Sequence, residues 1–197
     1  MEKTIRQQRS ENTYRRFIEA IVDIIARGEV DSFTIRSLCG SLDLSPRTFY
    51  LYFESKEQAI LKCYGYYSKV LVDEVMRRQD LTADYYDRVL QVFAAKIEVS
   101  LSALPMGRML YICALNYYEP SLYDDELPFY KSVKAALDDC VEHGARAFTT
   151  DTRTIAWELI DFSRGIVFNY FLKNESSDLR EESRRKMKRY LDTFVAR

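Results

Sequence analysis

The sequence predicts an all-α protein, and three observations support that prediction. Glycine and proline, which punctuate chains built from short strands, number only 6 and 4 in 197 residues. Apolar residues recur at steps of three and four along most of the chain, as they do on one face of a helix. No segment sustains the apolar and polar alternation of a half-buried strand. We therefore expect about nine helices, three short ones followed by six longer ones.

The first two helices are delimited by turn and capping residues. A polar stretch over residues 1–11 predicts a mobile arm, and helical periodicity begins at Tyr14. Gly28 is suited to end this first helix, because glycine adopts the left-handed backbone of a helix C-terminus. Thr34 is a good N-cap for a short second helix over residues 35–42.

The third and fourth helices also begin at recognisable caps. Ser45 followed by Pro46 predicts a helix start, since proline is tolerated in the first turn where its missing N–H costs nothing. Ser55 and Gln58 have the spacing of a capping box, which opens a longer helix to about Arg78.

The remainder of the chain predicts five further helices. Proline or glycine residues mark most of the boundaries between them. The expected spans are 85–104, 107–118, 128–142, a helix from residue 151 or 152 to about 171, and 179–195.

Composition excludes several classes of protein. The chain carries 29 Lys and Arg against 30 Asp and Glu, with 47% hydrophobic residues, which is enough apolar material for a core and excludes general disorder. No apolar stretch approaches the ~20 residues of a membrane span, so no membrane partner is expected. The polar N-terminus lacks the apolar segment of a secretory signal, and we expect a cytoplasmic protein.

The sequence also argues against catalysis. Four dispersed cysteines and a single histidine make a metal site improbable, and the cysteines are expected to be buried thiols. We find no carboxylate pair, serine triad or glycine-rich phosphate loop. We therefore predict no catalytic residue, no metal and no cofactor.

The segment from residue 34 to residue 53 carries the functional signal. Two short helices joined by a tight turn, with another helix before them, form the plan of a helix-turn-helix, whose last helix enters the major groove of DNA. Arg47 is suited to read guanine, while Thr48 and Tyr50 can donate to phosphates. The side chains that this plan offers to a duplex are Ser45, Pro46, Arg47, Thr48 and Tyr50, and just after them Tyr52 and Lys56.

Spacing alone leaves another interpretation open. Many helical proteins contain two short helices and a turn, so the alternative is a helical small-molecule-binding or scaffold protein whose helix-turn-helix is non-functional. A helical-bundle enzyme is a third possibility, but the residues to hold a metal or cofactor are absent from the sequence.

The run SPRTFYLYFESKE, which starts at Ser45, makes the signal more specific. Together with Phe17, Ile21 and Ile25, Gly28, and the segment from Thr34 to Leu38, it resembles the DNA-binding module of the TetR family of transcriptional regulators. The resemblance covers about fifty residues, from Tyr14 to Tyr64.

The resemblance implies a homodimer that binds a near-palindromic double-stranded operator, usually represses transcription, and is released by a small-molecule effector. Carried over by position, Ser45, Arg47, Thr48, Tyr50, Tyr52 and Lys56 fall where the family contacts DNA, and Thr34 falls where it often touches phosphate. The effector and the operator sequence are not implied.

Three departures from the family pattern affect the expected interface. The loop after Gly28 is about one residue longer than the common form. Asp43 stands where a glycine is frequent in the turn, and Leu51 stands where many members have a histidine or aromatic residue. The last difference implies one backbone contact that is weakened or replaced.

Charge near the N-terminus adds a further candidate contact. Over the first sixteen residues, basic side chains outnumber acidic ones. This arm either lies on the DNA backbone or in a minor groove, or is a solubilising tail. The basic residues are Lys3, Arg6, Arg9, Arg15 and Arg16.

The predicted organisation is a DNA-binding domain over residues 1–56 and a ligand-binding and dimerisation domain over residues 57–197. The chain has 15 Tyr, 11 Phe and 1 Trp, most of them in the second domain, where they either line a ligand pocket or form the core. The candidate pocket residues are Tyr64, Tyr67, Phe93, Tyr111, Tyr117, Trp157 and Phe162.

The last two helices are predicted to form a four-helix interface with a second copy. The first of them has apolar residues on more than one face, so that part can pack internally and part against the second copy, and the last helix carries a narrower apolar stripe. The candidate interface residues are Ile155, Leu159, Ile166, Tyr170, Met187, Tyr190, Leu191 and Phe194.

Overall fold

The computed structural model describes residues 4–102, 104–116, 120–173 and 179–196, and within these ranges the protein is all-α, as predicted. Nine α-helices and two short 3-10 turns account for its regular structure, and the only β pairing there is an isolated bridge between Phe148 and Val195. The helices are α1 Ile5–Ala26, α2 Ile35–Ser41, α3 Pro46–Phe49, α4 Lys56–Arg78, α5 Tyr85–Ser102, α6 Leu104–Asn116, α7 Pro128–Glu142, α8 Thr152–Lys173 and α9 Leu179–Leu191. None of the described helices is both long enough and apolar enough to cross a membrane.

The first helix corrects the predicted N-terminal arm. α1 begins at Ile5, where the Thr4 hydroxyl accepts the Gln7 N–H at 3.3 Å and the Gln7 side chain accepts the Thr4 N–H at 2.9 Å. This capping box satisfies two backbone groups of the helix start. Residues 5–12 are exposed on every side, so they show no apolar period, and a search for periodicity cannot detect them.

Several other helix boundaries differ from the predictions, and α5 ends at Ser102 rather than at residue 104. α6 begins at Leu104 rather than at residue 107, because Pro105 lies in its first turn, where no backbone N–H is required. α9 ends at Leu191 rather than at residue 195; a 3-10 turn, Asp192–Phe194, follows, and Val195 then pairs with Phe148.

The described chain divides into two compact units. One contains Met1–Tyr66 and Ala103–Pro120, and the other contains Tyr67–Ser102 and Ser121–Arg197, in each case for the residues described. α4 therefore contributes its beginning to the first unit and its end to the second. The domain boundary expected near residue 56 stays a prediction.

Each unit has its own apolar core. In the first, Phe17 and Ile21 of α1 are fully buried with Phe49 and Phe53. In the second, α5, α7, α8 and α9 pack together and bury residues that include Val89, Phe93, Val133, Leu137, Ile155, Leu159 and Leu191. The four cysteines are buried thiols, as expected.

The burial pattern predicts losses of stability of very different size at two adjacent positions. Phe49→Ala should lower the free energy of unfolding by about 3–5 kcal/mol, because it opens a cavity in the core of the first unit. Tyr50→Ala should cost less than about 1 kcal/mol, because the Tyr50 side chain lies mostly in solvent. Urea denaturation of both variants measures this difference, and equal losses would contradict the burial described here.

Candidate functional site

The third helix is a single turn held by its cap. The Ser45 hydroxyl accepts the Thr48 N–H at 3.1 Å and lies 2.9 Å from the Thr48 hydroxyl. Pro46 occupies the first helical position, as predicted. A helix of four residues is unstable by itself, so side-chain packing has to fix its position.

Two buried aromatic side chains supply that packing. The rings of Phe49 and Phe53 have centroids 5.0 Å apart, and both meet the Phe17 ring of α1 edge to face, with centroid distances of 5.6 and 5.8 Å. Such contacts add to the hydrophobic stabilisation of a core. These ring contacts hold α3, and the residues that follow it as far as Phe53, against α1.

The same anchoring leaves the opposite side of α3 in solvent. Ser45, Pro46 and Arg47 are exposed, Tyr50 is 58% exposed, and Leu51 is 75% exposed. Thr48 is half-buried. No hydrogen bond or ion pair to the Arg47 guanidinium is present among the described residues, so its donors are available to a ligand.

Thr34 lies at the start of α2, where its side chain forms a cap. Its hydroxyl accepts the Ser37 N–H at 3.1 Å, and the Ser37 hydroxyl accepts the Thr34 N–H at 3.0 Å. Both residues are exposed. Thr34 therefore has a defined local role in addition to the phosphate contact that the family resemblance implies.

Tyr52 connects α1 to the segment after α3. Its hydroxyl lies 3.2 Å from the Ser10 hydroxyl, and its ring lies beside those of Tyr14, Phe17 and Phe53. Because Ser10 falls in the stretch that the sequence predicts to be a mobile arm, this contact could not be foreseen from the sequence.

Lys56 is half-buried and holds the loop between α1 and α2. Its ammonium donates to the carbonyls of Val30 at 2.7 Å and Phe33 at 2.9 Å, and lies 4.2 Å from the centroid of the Phe33 ring. An ammonium has three protons, so these bonds leave one for another acceptor. The loop it holds is the one that the family resemblance predicts to be about one residue longer than the common form.

The turn between α2 and α3 is joined to α1 by Arg16, which the sequence analysis names only as a basic residue of the N-terminal arm. The Arg16 guanidinium donates to the carbonyl of Leu42, the C-cap of α2, at 2.7 Å. Asp43, which follows, has φ +53°, the left-handed conformation in which glycine is most easily accommodated. Asparagine and aspartate also tolerate this region, which explains how Asp43 occupies a position that is often glycine.

The predicted pocket residues are distributed over both units. Tyr64 and Tyr111 belong to the first unit and are half-buried. In the second unit, Phe93 packs edge to face on Phe129, Trp157 stacks on Tyr130, and Phe162 stacks on Tyr190. The Tyr67 side chain and the whole of Tyr117 lie outside the part of the chain that is described. The pocket lining stays a prediction.

Most of the predicted interface residues are packed inside the protomer. Ile155, Leu159, Met187 and Leu191 are almost completely buried in the core of the second unit, and Ile166 is nearly so. Tyr170, Tyr190 and Phe194 are half-buried and accessible from outside. The Tyr190 hydroxyl donates to Glu158 at 2.7 Å. Whether this face meets a second copy stays a prediction.

Comparison with solved structures identifies the fold. Over 97% of its length, the chain matches 96% of the fatty acid degradation regulator FadR from Bacillus halodurans, with a TM-score of 0.65 and 16% identity. For the TetR-family regulator PfmR from Thermus thermophilus, the coverages are 90% and 97%, the TM-score is 0.58 and the identity is 17%. FadR from Bacillus subtilis in complex with stearoyl-CoA matches with a TM-score of 0.61 and 12% identity, over 90% of this chain and 97% of that one.

The protein therefore has the fold of the TetR-family transcriptional regulators, and its similar structures are regulators rather than enzymes. The likeness extends over nearly the whole chain, beyond the fifty residues that carry the resemblance in sequence. No protein-family model and no curated protein matches the sequence.

The Lys56 contacts predict a structural effect that is separable from any binding effect. Lys56→Met should lower the free energy of unfolding by about 1.5–3 kcal/mol, because it removes two charge-assisted hydrogen bonds to loop carbonyls. Lys69→Met, on the exposed side of the same helix, is the matched control and should change stability by less than about 0.5 kcal/mol. Urea denaturation measures both variants. A Lys56→Met variant as stable as the control would show that the two hydrogen bonds of Lys56 to the loop do not stabilise the fold.

Proposed function

We propose that this protein is a ligand-responsive DNA-binding transcriptional regulator, a repressor, that binds a palindromic operator as a homodimer. The observation that carries the proposal is the solvent exposure of Arg47 and Tyr50 on a capped helical turn that Phe49 and Phe53 fix to α1. A rigidly held short helix with a free guanidinium is what readout of a major groove requires.

Each side chain around α3 has a proposed role at the duplex. Arg47 donates to O6 and N7 of a guanine, which is the commonest specific contact of arginine with DNA. The hydroxyls of Ser45, Thr48 and Tyr50 donate to phosphate oxygens and fix the register of the helix. Pro46 packs against the sugar-phosphate backbone at the start of the turn.

Residues outside α3 complete the proposed interface. Thr34 donates to a phosphate at the start of α2, and Lys56 uses its remaining proton in the same way. Tyr52 contributes by holding α1 against the segment after α3. Arg6 and Arg9, on the exposed first turns of α1, extend the basic surface, which supports DNA binding by a chain whose net charge is −1.

A strip along α8 supports the dimer. Glu158, Asp161, Gly165, Asn169 and Leu172 follow one another at helical spacing and are all exposed, and Leu172 is 65% exposed. The accessible ring of Tyr190 on α9 packs against Phe162 of α8 and Phe194 of the 3-10 turn that follows α9. We place the interface on this strip rather than on the buried residues of α8 and α9.

The second unit is the proposed effector domain. One similar structure is FadR bound to stearoyl-CoA, so acyl compounds are the first class of effector to test. α4 contributes residues to both units, and we propose that it transmits effector binding to α3. A ligand coupled to operator release by about 1–3 kcal/mol would act within the usual allosteric range.

A gel-shift titration against the DNA upstream of the gene tests the proposal as a whole. We expect a discrete complex at nanomolar protein that competitor DNA of unrelated sequence does not displace. A protein that binds no duplex above non-specific affinity would favour the alternative, a helical small-molecule-binding protein with a non-functional helix-turn-helix.

The Arg47 assignment predicts a loss of discrimination at one base pair. Arg47→Ala should reduce the preference for guanine at one operator position by about 1–3 kcal/mol, because the bidentate contact is lost. Competition binding with single-base operator variants measures the preference. Arg27→Ala removes the same charge from the loop after α1 and is the control, with unchanged preference. If discrimination survives in Arg47→Ala, Arg47 is not the reader.

The dimer strip predicts that an added side chain will separate the subunits. A Cβ at Gly165 meets no atom within 4 Å, so Gly165→Arg should fold at least as well as the original chain while clashing with a partner helix. We expect monomers by light scattering. Gly65→Arg, at an equally open glycine of α4, is the control and should stay dimeric. A Gly165→Arg dimer would show that the interface lies elsewhere.

A further inference from the structure

The second unit contains a buried lysine in the middle of α5. Lys96 is only 6% exposed, and its amine donates to the hydroxyl of Ser163 on α8, which is 1% exposed. The Ser163 hydroxyl in turn donates to the carbonyl of Ile160 at 2.6 Å. Among the described residues this is the only hydrogen bond of the Lys96 amine.

Among the described residues, no acidic side chain forms an ion pair with Lys96. Of the charged groups on α8 that act on it, Arg164 repels the ammonium, while Asp161 attracts it weakly because Asp161 is already bonded to Arg164 at 2.9 Å. On α5, Glu98 is bonded to Arg180 of α9, and α7 presents the Phe129 ring, 5.5 Å from the amine. Burial, reinforced by Arg164, lowers the pKa of Lys96 well below its usual range.

The surroundings of Lys96 are mostly apolar, although Ser100, one helical turn further along α5, is also a buried polar residue. One helical turn away on α5 lie the buried residues Phe93 and Val99, and one turn from Ser163 on α8 lie Ile160 and Val167. A charged amine in such a place is costly unless it meets an opposite charge. The site therefore suits a ligand that combines an apolar body with a single negative charge.

We infer that Lys96 is the anchor of the effector, and that the effector is an apolar carboxylate of the fatty-acid type. The ammonium would donate to the carboxylate with the two protons that Ser163 does not use. This inference rests on the proposed function, because it names the ligand of the proposed effector domain. A coenzyme A thioester fits less well, since its several phosphate charges require several exposed cations rather than one buried amine.

Binding would then take up a proton. In the free protein burial disfavours the charged form of the amine, so its proton occupancy is lower than that of an exposed lysine. A bound carboxylate favours the ammonium and raises its proton occupancy. The same reasoning gives the sign for stability: as pH falls below the unfolded-state pKa of lysine, the unfolded chain gains a proton that the folded chain does not, so Lys96 destabilises the free protein increasingly.

Decanoate and methyl decanoate test the anchor directly, with the single tryptophan, Trp157, as the fluorescent reporter of binding. The full chain should bind decanoate, and Lys96→Met should bind it about 10–100-fold more weakly, which corresponds to the loss of one charge-assisted contact. Methyl decanoate should bind both proteins alike. Lys131→Met, on the exposed face of α7, is the control and should bind decanoate as the original chain does.

Two further readouts separate an anchor from a merely structural lysine. Calorimetry at pH 8 in phosphate and in Tris should show uptake of up to one proton per decanoate by the original chain and none by Lys96→Met. The free Lys96→Met protein should melt at a higher temperature than the original chain, because a buried amine is replaced by an apolar side chain of similar size. Ser163→Ala, which keeps the amine, should retain the proton uptake.

Several results would overturn the inference. These are decanoate binding that is unchanged in Lys96→Met, no proton uptake by the original chain, no decanoate binding at all, or decanoyl-CoA that binds more tightly than decanoate regardless of residue 96. Operator binding without effector is measured in parallel. Its absence would contradict the proposed function while leaving decanoate binding intact, so the two failures are distinguishable.

Discussion

The structure depends on the contact of two aromatic rings, Phe49 and Phe53, with Phe17 of α1. A one-turn helix has too few hydrogen bonds to be stable alone, and its direction is set by what its buried side chains touch. Once residues 49 and 53 face inward, helical geometry directs Arg47, Tyr50 and Leu51 outward. The surface proposed to read DNA is thus a consequence of packing on its opposite side.

Caps and hydrogen bonds also hold the helices of the first unit in place. The sequence predicted the local contacts among them but not the contacts between distant residues. Caps at Thr34 and Ser45 and the glycine after α1 are local signals with a fixed spacing, and each lies where it was expected. The hydrogen bonds from Lys56 to Val30 and Phe33, and the one from Arg16 to Leu42, join residues 23 or more positions apart. No local pattern encodes such pairs. The start of α1 was missed because a helix exposed on all sides has no apolar period.

In the larger unit, residue type predicted which side chains are buried. It did not predict whether they form the core, a ligand pocket or a dimer interface. Apolar residues of α8 and α9 were assigned to a dimer interface, yet most of them form the core of the protomer itself. An aromatic residue at helical spacing fits a core, a pocket or an interface equally well, and only the packing of α5, α7, α8 and α9 separates these uses. Lys96 is a buried residue whose burial the residue type did not predict. A single lysine within an apolar helix carries no motif, and only the folded arrangement of the described residues shows that it lacks an ion-pair partner among them.

In the proposed dimer, the exposed face of α3 reads one half-site of the duplex in each subunit. Selection of binding sequences from a pool of random duplexes by the purified protein tests it most directly. We expect enrichment of two inverted half-sites, with centres about one helical turn of DNA apart or a multiple of that spacing. An unenriched pool, or a single half-site without its inverted copy, would contradict it.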